Sequence, residues 1–106
     1  MQIIAHPSPN YGERRGGAVP DIIVLHYTAM NGTSEALERL CSPDHQVSAH
    51  YVIDSRGRAY RLVDESLRAW HAGAGSWGSC VDVNSRSVGI EMANDGERRA
   101  AAASAR

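Results

Sequence analysis

Apolar residues along this chain follow two patterns, one typical of strands and one of a helix. Residues 21–27 are a nearly continuous run of aliphatic side chains, which predicts a strand in a sheet that is covered on both faces. Residues 50–54 and 59–63 are strand-like, and the glycine-containing segment between them predicts a hairpin. Residues 87–92 predict a last strand.

A single segment has helical spacing. Apolar residues between positions 36 and 41 predict a helix over residues 35–41, ending before Pro43, with a hydroxyl N-cap from Thr33 or Ser34. Residues 1–20 are rich in proline and glycine and predict an irregular arm. The whole pattern indicates an α/β domain.

The length of 106 residues fits one domain, which we assign to residues 1–97. Residues 98–106 are an alanine- and arginine-rich tail that offers nothing large to bury, so we expect it to be frayed or disordered. Residues 73–87 form a long loop rich in glycine and serine, of the kind that is usually functional or disordered.

Charge and composition narrow the function classes. The 11 basic residues, all arginine, against 12 acidic residues leave no basic surplus for nucleic acid or an anionic membrane. The start of the chain lacks the features of a secretory signal, and no apolar run is long enough to span a bilayer, so we expect a cytoplasmic protein. We also expect it to be a monomer. Cys41 and Cys80 are then expected to be reduced, unrelated thiols.

Two residues stand out as candidates for chemistry. His26 ends the most apolar strand, where ligands gather in open α/β sheets; the alternative is a half-buried histidine bonded to a backbone carbonyl. Glu91 lies within a strand beside Gly89 on the same face, where a carboxylate needs a partner and suits general acid–base work. The alternative there is an edge strand with its polar face in solvent.

Other histidines and one tryptophan are weaker candidates. Trp70 and His71 precede the long loop and suit sugar or peptide binding, although Trp70 is equally compatible with the core. His50 opens a strand, whereas we expect His6 and His45 to be structural or exposed. The sequence has no local zinc signature such as His-Glu-x-x-His or Cys-x-x-Cys.

Four short motifs nevertheless occur in an informative order. They are Val-Leu-His-Tyr-Thr at 24–28, Val-Ser-Ala-His-Tyr at 47–51, Arg-Ala-Trp-His-Ala-Gly at 68–73 and Asn-Ser-Arg-Ser-Val-Gly-Ile-Glu at 84–91. Together they resemble the zinc-dependent N-acetylmuramoyl-L-alanine amidases, which are related to peptidoglycan recognition proteins and phage amidase lysozymes. The resemblance covers most of the chain, from about residue 8 to residue 96.

This resemblance implies a mixed central β-sheet with flanking helices and a zinc cleft. It implies hydrolysis of the amide between N-acetylmuramic acid and L-alanine, with peptidoglycan fragments or muropeptides as ligands. The missing secretory signal favours cytoplasmic recycling of anhydro-muropeptides over attack on the intact cell wall. His26 matches the first Zn²⁺ ligand and Glu91 the carboxylate that activates water. Positions that match the substrate cleft are His50, Trp70, His71 and Asn84.

The sequence also departs from the family pattern. The family takes a second histidine, an aspartate and a nearby lysine from a later segment, and this sequence has no lysine and no such segment. We therefore expect a C-terminally incomplete amidase fold with an incomplete zinc site and an uncovered apolar sheet surface. Two other interpretations stay open, a non-catalytic muropeptide-binding module and an inactive fragment.

Overall fold

The strand from Ser87 to Met92 lies in the interior of a five-stranded mixed sheet, between two strands parallel to it. A computed structural model of the chain describes residues 2–27, 32–72 and 82–93. The strands are β1 (Ile3–Ala5), β2 (Tyr11–Glu13), β3 (Ile22–Tyr27), β4 (Tyr51–Ile53), β5 (Ala59–Arg61), β6 (Leu67–Ala69) and β7 (Ser87–Met92). The helices are α1 (Thr33–Leu40) and α2 (Val83–Arg86), and residues Arg15–Gly17 form a 3₁₀ turn.

The main sheet has the strand order β1-β5-β4-β7-β3. Only the β4–β5 hairpin pair is antiparallel, and its turn contains Gly57 at φ +83°, a conformation that glycine adopts without strain. Strands β2 and β6 form a separate antiparallel pair. The expected mixed sheet with flanking helices is therefore confirmed.

The hydrophobic core lies between α1 and one face of the main sheet. Leu37 and Leu40 of α1 pack into a cluster with Val52 of β4, and the cluster includes Ala49, Leu62, Val63 and Ala69. Helical spacing predicted this buried stripe correctly, because residues three to four apart share one face of a helix. The helix shields one sheet face from water and thereby defines the side on which a cleft can form.

The opposite face of the sheet carries exposed apolar side chains. Ile23 is 69% exposed and Leu25 45% exposed, and both alternate with the inward-facing residues of β3. The prediction that this strand is covered on both faces was therefore wrong for the described residues. Strand β3 is at the edge of the sheet, and its run of aliphatic residues reflects strand propensity as well as burial.

Three further expectations need correction. The N-terminal segment is not an irregular arm, because β1 pairs with β5 and β2 pairs with β6. The cap of α1 is Gly32, with no side-chain hydrogen bond, rather than a hydroxyl. Helix α2 was not predicted; Asp82 caps it by accepting a hydrogen bond from the Ser85 N–H.

Several expectations concern residues outside the described ranges. They include the tail at 98–106, Cys80 and most of the long loop. Cys41 is a free thiol. Within residues 2–27, 32–72 and 82–93, no helix combines the length and the apolar character that crossing a membrane requires.

Candidate active site

His26 and Glu91 are direct neighbours across two parallel strands. The register of β3 and β7 pairs the α-carbons of these two residues, and residues so paired project to the same face of a sheet. Glu91 is 3% exposed and lies in an interior strand, which excludes the solvated edge strand considered above. The sheet thus brings an imidazole and a buried carboxylate to one place.

His71 joins this pair from outside the sheet. Its Nδ1 lies 3.1 Å from Nε2 of His26, and its Nε2 lies 2.9 Å from the hydroxyl of Ser87. The ring rests against Gly89: a β-carbon built there would lie 2.5 Å from two ring carbons. Glycine at this position of β7 leaves the space that the imidazole fills.

Burial and neighbouring charge keep the His71 ring neutral. Burial lowers the pKa of His71, the nearby His26 and His50 rings lower it further, and the resulting pKa is about 3. A neutral imidazole has one donor and one acceptor nitrogen, which suits its two hydrogen-bonding neighbours, His26 and Ser87.

His26, His71 and Glu91 line one cleft of about 340 Å³. The other lining residues are Arg39, Leu40, Val47, Ser48 and Trp70. Trp70 is fixed through its backbone, because its N–H donates to the Ser48 hydroxyl at 2.9 Å and its carbonyl accepts from the Ser48 N–H at 2.8 Å. Its place in the cleft wall is consistent with the predicted binding position.

Asn84 supports the cleft without lining it. Its side chain is almost fully buried, and its Oδ1 accepts hydrogen bonds from the N–H groups of His71 (3.1 Å) and Ala72 (2.9 Å). These bonds fix the backbone that presents the His71 imidazole. The substrate contact that we expected of Asn84 stays a prediction, and the side chain does not belong to the residues that line the cleft.

His50 is enclosed in the fold rather than lining the cleft. It has no exposed surface; its Nδ1 accepts from the Gly89 N–H (3.0 Å), so the ring proton is on Nε2, which donates to the Leu67 carbonyl (2.9 Å). Burial lowers the pKa of His50, and the nearby Arg14 charge adds to this effect. The substrate contact expected of His50 also stays a prediction.

Arg14 is a contributor that the sequence did not single out. Its guanidinium donates to the backbone carbonyls of Asn84, Ser85 and Ser87 at 3.0–3.2 Å, and to the Glu65 carbonyl at 2.7 and 3.1 Å. Burial lowers the pKa of Arg14. One side chain thus holds the segment that carries both Asn84 and Ser87, two of the residues that bind His71.

Residues 16–106 match the protein family described as N-acetylmuramoyl-L-alanine amidase. The chain belongs to this family. The motifs at residues 24–28, 47–51, 68–73 and 84–91 all lie within the matched range, so the resemblance drawn from them is confirmed.

Similar proteins include characterised members of the amidase family. N-acetylmuramoyl-L-alanine amidase AmiD of Escherichia coli (strain K12) is 37% identical over 76% of this chain and 30% of its own length. A crystal structure of a selenomethionine derivative of AmpD has a TM-score of 0.77 at 26% identity, covering 88% of this chain and 62% of that one. E. coli AmiD in complex with the substrate anhydro-N-acetylmuramic acid-L-Ala-D-γ-Glu-L-Lys has a TM-score of 0.63 at 32% identity, covering 82% and 40%.

The described residues do not complete the zinc site expected for an amidase of this family. A catalytic zinc site has three protein ligands, and within residues 2–27, 32–72 and 82–93 no group of three histidine, cysteine, aspartate or glutamate side chains could hold a metal ion. The imidazoles of His26 and His71 lie together, and Nε2 of His26 and Nδ1 of His71, 3.1 Å apart, are at hydrogen-bonding distance from each other.

Most of the supporting residues carried no signal in the sequence. Ser87 and Ser48 lie in strand-like or loop-like segments and belong to no motif of polar residues, and Arg14 lies in the segment that we predicted to be an irregular arm. The exception is Gly89, because a glycine within a strand, on the same face as Glu91, leaves room for another group to come close. The structure shows that this group is the His71 ring.

Proposed function

We propose that this cleft binds muropeptides, and that the protein hydrolyses the amide between the lactyl group of N-acetylmuramic acid and L-alanine. The chain spans 30% of the length of AmiD and 62% of the AmpD chain. Because it matches only part of these amidases, the hydrolytic activity is itself a proposal. Its main support is the cross-strand pair of His26 and Glu91 beneath a cleft that also contains His71.

Glu91 is the proposed catalytic residue. Its carboxylate accepts a proton from the attacking water as the oxygen bonds to the amide carbon, and it returns the proton to the nitrogen when the carbon–nitrogen bond breaks. Burial beside a partly enclosed cleft suits this role, because a carboxylate removed from bulk water responds strongly to nearby charge.

The other proposed roles follow from the same placement. We propose His26 as a zinc ligand and Trp70 and His71 as substrate-binding residues, since all three line the cleft. His50 and Asn84 are predicted substrate-binding positions, and in the structure both bind backbone groups. Cytoplasmic recycling of anhydro-muropeptides is the proposed setting.

A hydrolysis assay tests the activity. The chain, with added Zn²⁺, is incubated with anhydro-N-acetylmuramic acid-L-Ala-D-γ-Glu-L-Lys, and the released tripeptide is measured by mass spectrometry. We expect turnover that falls roughly 10²-fold in Glu91→Gln. The exposed Glu13→Gln is the matched control and should retain full turnover. Full turnover in Glu91→Gln would remove Glu91 from the mechanism.

A second candidate function is muropeptide binding without hydrolysis. It is favoured by one observation, that the described residues provide no three-ligand metal site. Calorimetric zinc titration separates the two: stoichiometric binding that is lost in His26→Ala supports the enzyme, whereas muropeptide binding with no zinc affinity supports the binding module. A chain that binds neither would contradict both functions.

A further inference from the structure

Arg39 occupies a distinctive place at the edge of the cleft. It lies in the last turn of α1 and lines the same cleft as His26, His71 and Glu91. It also lines an adjoining hollow that contains Glu35, Glu38, Ser42 and His45. Because those neighbours belong to α1 and the turn that follows it, Arg39 lies where the cleft meets this hollow beside the helix.

The guanidinium of Arg39 is unpaired within the part of the chain that the structure describes. No carboxylate there lies at ion-pair distance from it, and its side chain makes no hydrogen bond to a described residue. Other arginines behave differently: Arg58 pairs with Asp54 and Arg68 with Asp82. Glu35 precedes Arg39 by one helical turn, a spacing that favours pairing, yet the two do not form an ion pair.

The other cleft residues are of two chemical kinds. His26, His71 and Glu91 are titratable, whereas Leu40, Val47 and Trp70 contribute apolar surface. Among the described residues that line the cleft, Arg39 is the only arginine. An arginine keeps its charge at any physiological pH and matches a carboxylate through two parallel hydrogen bonds.

We propose that Arg39 is a specificity-determining residue that binds the free α-carboxylate of a γ-linked glutamate following L-alanine. This inference rests on the proposed function, because it places the scissile amide beside His26, His71 and Glu91 and the peptide along the cleft toward Arg39 of α1. A glutamate joined through its γ-carboxyl group keeps its α-carboxylate, which provides the charge that Arg39 matches. Glu35 and Glu38 repel the same group, so the guanidinium must overcome that repulsion.

A pair of ligands that differ in one group tests this proposal. Binding of anhydro-N-acetylmuramic acid-L-Ala-D-γ-Glu-L-Lys and of its α-carboxamide analogue is measured by calorimetry on the zinc-free chain, so that hydrolysis does not interfere. We expect the carboxylate ligand to bind about 5- to 10-fold more tightly, as a charge-assisted bond at a partly exposed site allows. In Arg39→Gln the two ligands should bind equally, with the carboxamide bound as in the unmodified chain.

Arg56→Gln is the matched control, because Arg56 is an exposed arginine in the β4–β5 turn that does not line the cleft. It should keep the full preference for the carboxylate. A preference that persists in Arg39→Gln, or equal binding of both ligands by the unmodified chain, would overturn the role of Arg39 while leaving muropeptide binding intact. If the unmodified chain binds neither ligand, the proposed function and the role of Arg39 both fail.

Discussion

The α-carbon of Gly89 lies directly against the imidazole of His71, so close that an added β-carbon would be 2.5 Å from the ring. Gly89 is not among the glycines with positive φ, so its lack of a side chain serves packing rather than backbone conformation. The sheet and the His71 ring can approach each other only because this position has no side chain. The arrangement of His71 against His26 therefore depends on a residue of β7 that carries no functional group.

The first prediction is that Gly89→Ala displaces the His71 ring. Relieving the overlap moves the imidazole away from His26 and lowers the free energy of unfolding by about 1–3 kcal/mol, as is usual for overpacking. Urea denaturation measures the stability, and NMR chemical shifts of the His26 and His71 rings report the displacement. Gly12→Ala is the control, because a β-carbon at Gly12 meets no atom within 4 Å. Unchanged ring shifts in Gly89→Ala would show that the fold absorbs the methyl group elsewhere.

A second prediction concerns Asn84. Replacement by alanine leaves the N–H groups of His71 and Ala72 without their acceptor, which should cost about 1–3 kcal/mol of stability and loosen this segment. Amide hydrogen exchange should accelerate at these two residues in Asn84→Ala and less so in Asn84→Asp, which keeps an oxygen at the same place. If both amides exchange as slowly in Asn84→Ala as in the unmodified chain, Asn84 does not hold this backbone.

Much of the fold could be predicted because its signals are local. Strand β7 was predicted with its observed bounds, and the hairpin followed from Gly57 between two strand-like runs. Helix α1 followed from its apolar spacing. In each case the residues that determine the element also lie within it, so a short stretch of sequence was enough.

The pairings of the first residues could not be predicted in this way. Strands β1 and β2 are three residues each, and each depends on a partner far along the chain, β5 and β6 respectively. The proline- and glycine-rich composition of this segment gave no hint of that pairing. The same reason explains why Arg14 was missed: its acceptors are backbone carbonyls, which every residue type offers.

The candidate site shows the same division. His26 and Glu91 could be singled out from the ends and faces of their strands, and the register of β3 and β7 then brought them together. His50 was also singled out, but its two ring nitrogens bind backbone groups, a use of histidine that strand position does not distinguish from a cleft role. These two bonds depend on tertiary contacts with Leu67 and Gly89, so the sequence could not predict them.

A third prediction is that Arg14 stabilises the segment behind the site. Arg14→Met removes the donors to carbonyls of Asn84, Ser85 and Ser87 and should reduce the free energy of unfolding by about 2 kcal/mol or more. Arg14→Lys should recover only part of the loss, because an ammonium cannot reach several carbonyls in the plane that a guanidinium spans. Chemical denaturation of both variants gives the comparison. Equal stability of the lysine variant and the unmodified chain would show that the charge alone matters.

The last prediction concerns stability against pH. Burial lowers the pKa of both His50 and His71, that of His71 to about 3. Below the ordinary histidine value of about 6.5 the unfolded chain therefore binds protons that the folded chain does not, and stability falls as pH falls. The lowered carboxyl pKa values of Asp54 and Asp82 act in the same direction, but in a lower pH range.

The free energy of unfolding should therefore decrease as the pH is lowered from about 7.5 to about 5. Once the pH is below about 6.5, each such histidine contributes a decrease of up to about 1.4 kcal/mol per pH unit. His50→Asn provides a direct check, because asparagine does not titrate and its Oδ1 can accept the Gly89 N–H in place of Nδ1. Whatever the absolute stability of this variant, its free energy of unfolding should depend less steeply on pH. The difference in slope should correspond to the uptake of up to one proton. Urea unfolding curves at several pH values measure the slope for each protein. Parallel curves for the two would mean that His50 takes up its proton equally in the folded and unfolded chain, contrary to its burial.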